Sequence, residues 1–135
     1  MANNIVPAEY QAFLQNIKTQ VQQAQLKAVM AVNKELILLY WHIGKEILKR
    51  QDTEGWGTGV IDRLSNDLHA AFPQMRGFSV RNLKYMRAFA ETYPDVSIVQ
   101  TVSAQLTWSH NIALLDKVKD ENERLWYMQQ SIEHG

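Results

Sequence analysis

The chain has 135 residues, 14 of them basic and 14 acidic, and 46% are hydrophobic. That length predicts one domain, residues 1–135, and the composition excludes wholesale disorder. Cysteine is absent, which excludes disulfide scaffolds, thiolate-held zinc, iron–sulfur clusters and a cysteine nucleophile.

A net charge of zero points to no class of partner. Electrostatic binding must therefore come from local clustering. No apolar run approaches a membrane span, and the N-terminus lacks the basic-then-apolar order of a secretory signal. The expected setting is cytoplasmic, with no membrane partner.

Pro7 opens a segment with neither Gly nor Pro from Ala8 to Ile43. A stripe of apolar residues falls at Tyr10, Phe13, Leu14, Ile17, Val21, Ala24, Ala28, Val32, Leu36, Leu39, Ile43 and, just beyond it, Ile47. Their steps of three or four predict helix over about 8–51. This is either one rod or two helices meeting near Asn33. A single rod would run roughly 65 Å. One small domain cannot cover that length, so a homodimer through this helix is expected. Folding of the N-terminal half back onto the domain is the competing reading.

Gly55, Gly57 and Gly59 surround Trp56 and predict a loop. The loop either lets Trp56 fold onto the core or offers an anion site at the next helix. That helix is expected at about 58–72, ended by Pro73. A turn containing Gly77 follows. Ser79 is a good N-cap for a helix over about 80–92, which Pro94 terminates. Residues 95–102 are rich in β-branched side chains and read as a short strand or an extended linker. Thr107 or Ser103 caps a helix over about 108–118, and Asp120 begins a last helix over about 121–133. The fold class is therefore all-α, with at least five helices. Trp41, Trp56, Leu64, Leu68, Phe72, Phe78, Leu83, Met86, Phe89, Leu106, Trp108, Leu114 and Trp126 are the expected core.

The segment from Leu64 to Glu91 reads as helix, glycine turn, capped helix. That is the grammar of a helix-turn-helix unit, placed at about 58–93, whose second helix can enter a DNA major groove. On a helical wheel Leu83, Met86 and Ala90 share one side. Arg81, Lys84, Tyr85 and Ala88 face away, with Arg87 at the border. No acidic residue occurs between Leu68 and Ala90, while Arg76, Arg81, Lys84 and Arg87 do. The candidate DNA-binding residues are therefore Arg76, Ser79, Arg81, Lys84, Tyr85 and Arg87, meeting phosphates or base edges. A solvated helical hairpin is the plain alternative.

Other constellations are weaker. Gly44-Lys45 lacks the upstream glycine of a phosphate-binding loop and reads as helix interior. His42, His69, His110 and His134 have no metal-ligand spacing, so no metal or cofactor is expected. His110 reads as a histidine held by hydrogen bonds within the core. No acidic residue is followed two positions later by Lys, the usual end of a metal-dependent nuclease motif. No catalytic residue is assigned.

Several blocks together carry a family resemblance. They are Leu39-Tyr40-Trp41-His42-Ile43-Gly44, Trp56-Gly57, Phe72-Pro73, Gly77-Phe78-Ser79-Val80-Arg81-Asn82-Leu83, Met86-Arg87 with Phe89, and Leu106-Thr107-Trp108-Ser109-His110. Arg124 and Tyr127 also fit. In this order they resemble the N-terminal domain of the YhcG family. The resemblance implies a helical, winged-helix-like DNA-binding module, joined in full-length bacterial members to a C-terminal nuclease-like domain of the PD-(D/E)XK class. The chain stops at Gly135, where the family is expected to continue toward that nuclease. Two functions follow: a non-catalytic DNA-binding domain, or a protein-interaction and dimerisation module.

Overall fold

A computed structural model describes residues 6–57 and 59–134, with the side chains of 26–32 outside the description. Its helices are α1 (Pro7–Thr53), α2 (Gly59–Ala71), α3 (Val80–Thr92), α4 (Val96–Thr101), α5 (Trp108–Lys117) and α6 (Glu121–His134), with a 3-10 turn at Ser103–Gln105. The fold is all-α: 82% of the described residues are helical. Helix was expected from residue 58, which is itself outside the description.

α1 is not a straight rod. Asn16 Nδ2 donates to Glu46 Oε1 at 3.0 Å, although thirty residues of straight helix span about 45 Å. The path of the chain therefore reverses between an N-terminal and a C-terminal arm. Tyr10, Phe13, Ile17 and Val21 are fully buried, in one cluster with Leu39, Ile43 and Ile47 of the other arm. Trp56 closes this cluster, with its ring centroid 5.3 Å from Phe13 and 6.3 Å from Tyr10. Burial of Tyr10 to Val21 within one chain removes the exposed apolar area that a rod would leave, so of the alternatives left open, one rod or two helices, a straight rod does not fit and the fold-back reading does. Ala28 and Val32 of the stripe lie among the side chains outside the description. Tyr10 also ties the arm to α2: its hydroxyl donates to Asp67 Oδ2 at 2.6 Å, and the Arg63 guanidinium lies 3.8 Å from its ring centroid.

α3 packs chiefly on α1. Gly44 makes the crossing possible, because a Cβ there would overlap the Met86 carbonyl oxygen. Close helix approach, rather than phosphate binding, accounts for Gly44-Lys45. A second cluster joins Ile37 and Trp41 of α1 to Phe89, Tyr93, Val99, Leu106, Leu114 and Met128. Trp41 Nε1 donates to the Tyr93 carbonyl at 2.7 Å within it.

Three sequence expectations are corrected. Residues 95–102 are neither strand nor linker but mostly α4, since Asp95 Oδ1 caps the Ser97 N–H at 2.9 Å. No strand occurs among the described residues, so the winged-helix likeness finds no β-wing there. Trp126 is 55% exposed rather than core. Arg124 and Met128 occupy the buried face of α6, and Trp126, about 200° around the helix from each, points outward. Phe72 and Trp108 are half-buried at the edges of the core.

Candidate nucleic-acid interface

The turn before α3 is built from both sides. Phe78 is fully buried, and Ser65 of α2 donates to its carbonyl at 2.6 Å. Gly77 has φ +103° and presses against the Tyr40 hydroxyl, where a side chain would be strained and would clash. Ser79 then caps α3: its Oγ accepts from the Asn82 N–H at 3.1 Å. Asn82 fixes the turn further. Its Nδ2 donates to the Gly77 carbonyl at 2.7 Å, and its Oδ1 accepts from Trp108 Nε1 of α5 at 2.8 Å.

Leu83, Met86, Phe89 and Ala90 bury one face of α3. Arg81 and Lys84 stand exposed on the other, and Arg76 is exposed in the preceding turn. Among the described residues none of these three cations pairs with a carboxylate. Tyr85 is half-buried. Its hydroxyl donates to Asp116 Oδ2 of α5 at 2.7 Å, and the Arg81 guanidinium lies 5.4 Å from its ring centroid. Arg87 is half-buried and turns toward α1, with Nη1 3.4 Å from Gln51 Oε1. The structure thus brings Ser79, Arg81, Lys84 and Tyr85 onto one surface. Arg76 lies at its leading edge, and Arg87 points away from it.

Three shallow concavities meet at Tyr85. One, of about 590 Å³, is lined by Val80, Arg81, Lys84, Tyr85 and Ala88 of α3. Another, of about 410 Å³, lies over the start of α3 against Ser109 and Ile112. The third, also about 410 Å³, runs from Tyr85 to Asp116, Lys119 and Arg124.

The DUF1016 N-terminal domain family matches residues 16–135. The chain belongs to this family. It is 35% identical over 104 residues to the Escherichia coli (strain K12) protein named "Putative nuclease YhcG". That match covers 74% of this chain and 27% of the relative, so the chain spans about a quarter of that protein's length. No solved structure matches the chain.

Within this DUF1016 N-terminal domain, the blocks quoted above divide between packing and surface. Trp41, Gly44, Phe78, Leu83 and Phe89 build the two clusters and the α1–α3 crossing. Arg81 alone among the quoted block over 77–83 projects a charge into solvent. Arg124, which also fits the family pattern, is buried and donates through Nη1 to the Val118 and Lys119 carbonyls at 3.0 and 2.9 Å. It closes the end of α5 against α6.

No group of three or more His, Asp or Glu residues is placed to hold a metal ion among the described residues. Nor is any described helix long and apolar enough to cross a membrane. His110 Nε2 lies 3.3 Å from Ser131 Oγ, linking α5 to α6. Sequence reasoning missed two residues of the surface. Asn82 carries a local signal, lying three positions after its cap Ser79. Asp116 carries none, because it meets Tyr85 from thirty-one residues away.

Proposed function

We propose that this domain is the non-catalytic DNA-binding part of a larger, cytoplasmic nuclease-like protein of the PD-(D/E)XK class. α2, the turn and α3 act as its helix-turn-helix unit, within a single domain spanning residues 1–135. The observation that carries this reading is the outer face of α3. Among the described residues Arg81 and Lys84 are exposed there without a carboxylate partner, behind the capped N-terminus at Ser79 and the turn cation Arg76. An unpaired, solvated cation can exchange counterions for a phosphate with little rearrangement. The name of the Escherichia coli relative, "Putative nuclease YhcG", agrees with a nucleic-acid partner. Arg87 plays a lesser part, since it is turned toward Gln51.

The test is fluorescence anisotropy on a labelled random-sequence duplex with the parent protein and Arg81→Glu/Lys84→Glu. Binding by the parent, lost in the double variant with an unchanged helical circular dichroism spectrum, is the expected outcome. Equal binding by both proteins contradicts the reading.

A protein-interaction module is the second reading. Trp126 and Tyr127, 55% and 46% exposed on α6, favour it. The dimerisation argument from the α1 stripe has less to rest on, because Tyr10 to Val21 is buried within one chain.

A further inference from the structure

We propose that the concavity on α3 accepts an unpaired nucleobase of single-stranded DNA, stacked on the Tyr85 ring, with the neighbouring phosphates on Arg81 and Lys84. This inference rests on the DNA-binding reading above and narrows it to a substrate class.

Tyr85 supplies the first argument. A surface tyrosine in a phosphate-binding role needs a free hydroxyl. Here the hydroxyl donates to Asp116 Oδ2 at 2.7 Å, and the carboxylate beside it repels phosphate. What Tyr85 offers a strand is therefore its ring. The tether across α3 and α5 fixes that ring, so less side-chain freedom is lost when a base stacks on it.

The shape of the surface supplies the second. Val80, Lys84 and Ala88 follow one another at single-turn spacing along the groove, with Arg81 and Tyr85 alongside. Val80 and Ala88 make an apolar floor, and small Ala88 leaves room beside the ring. The concavity is open and lined only by residues of α3, so it offers a mostly apolar surface on which a flat base can lie. A π-face flanked by cations is the arrangement that binds single strands with little regard to sequence.

The Arg81 guanidinium lies 5.4 Å from the ring centroid, so a phosphate drawn to Arg81 brings the adjoining base to the ring beside it. On the α5 side the ring meets Asp116 and Lys119, whose charges offset each other. A duplex keeps its bases stacked inside, so it reaches the cations but leaves the ring bare.

The experiment measures anisotropy of an oligothymidylate of about twelve nucleotides, within the site size of one small binding module. A blunt duplex of the same length is measured at the same salt. The single strand is expected to bind several-fold tighter. Tyr85→Leu keeps apolar packing but removes the π-face, and should weaken single-strand binding by roughly 5- to 150-fold, the range for one lost stack. Its duplex binding should fall far less, since there the ring only supports Arg81, and an unchanged helical circular dichroism spectrum reports that the variant is folded. Tyr85→Phe should retain single-strand binding.

Duplex bound as tightly as the single strand overturns the inference, as does an equal loss on both probes in Tyr85→Leu. A loss in Tyr85→Phe matching that in Tyr85→Leu overturns it too. In those cases duplex binding that still depends on Arg81 and Lys84 leaves the DNA-binding reading standing. If neither probe binds, both fall together.

Discussion

Three tyrosine hydroxyls respond to burial in the same direction. Tyr10, Tyr40 and Tyr93 all titrate above the ordinary value of 10.0, chiefly through burial, and Tyr10 also through its hydrogen bond to Asp67. Each is thus held protonated in the folded chain at a pH where the unfolded chain would ionise it. Their contribution to stability is full below pH 10.0 and is lost as the pH rises from there toward the higher folded values. The urea midpoint should accordingly fall once the pH passes about 10, and Tyr10→Phe should make that fall shallower. A midpoint unchanged across that range would contradict the burial of these hydroxyls. At this scale the sequence was legible where a residue's neighbours at three and four positions agree with it. Leu64, Leu68, Leu83 and Met86 lie in the core as their spacing predicts. Trp126 misleads because its size suggests burial, while the buried face of α6 runs through Arg124 and Met128. Arg81 and Lys84 were placed outward by the wheel alone. The bond from Tyr85 to Asp116 joins two helices, and no local pattern announces it.

Among the elements, α3 was the most legible. Ser79 and Pro94 bracket it, and its bounds, Val80–Thr92, match the expected 80–92. α4 was obscured by Val96, Ile98 and Val99, whose β-branching favours strands, while the Asp95 cap favours a helical turn. The reversal of α1 was invisible for a different reason. A three-and-four stripe describes each arm equally well, and it does not say whether the arms lie end to end or side by side. Gly44 marks the crossing of α1 and α3, and it gives a direct test of the packing. Alanine is the better helix former by about 1 kcal/mol. Its Cβ, however, would drive into the Met86 backbone carbonyl, and overpacking of that kind costs about 3 kcal/mol at its upper end. Gly44→Ala should therefore lower the unfolding free energy by about 2 kcal/mol in urea titration. A stabilised variant would show that the two helices do not approach this closely.

For the molecule as a whole, self-burial of the N-terminal arm and the basic face of α3 make separate claims. If the arm folds back within one chain, the urea midpoint should not change with protein concentration. A dimer held through the arm would raise the midpoint as concentration rises, by mass action. Most of the blocks that carry the family resemblance pack Trp, Phe, Leu and Gly residues into the two clusters and the α1–α3 crossing. The proposed function rests on the few side chains that face water. The most direct measurement of the proposed function is the salt dependence of DNA binding. Contacts from Arg76, Arg81 and Lys84 to three phosphates give a log–log slope of about −2.7 on duplex DNA, and Arg81→Ala should reduce its magnitude by about 0.9. A slope near zero, or one that Arg81→Ala leaves unchanged, would contradict DNA binding through this face.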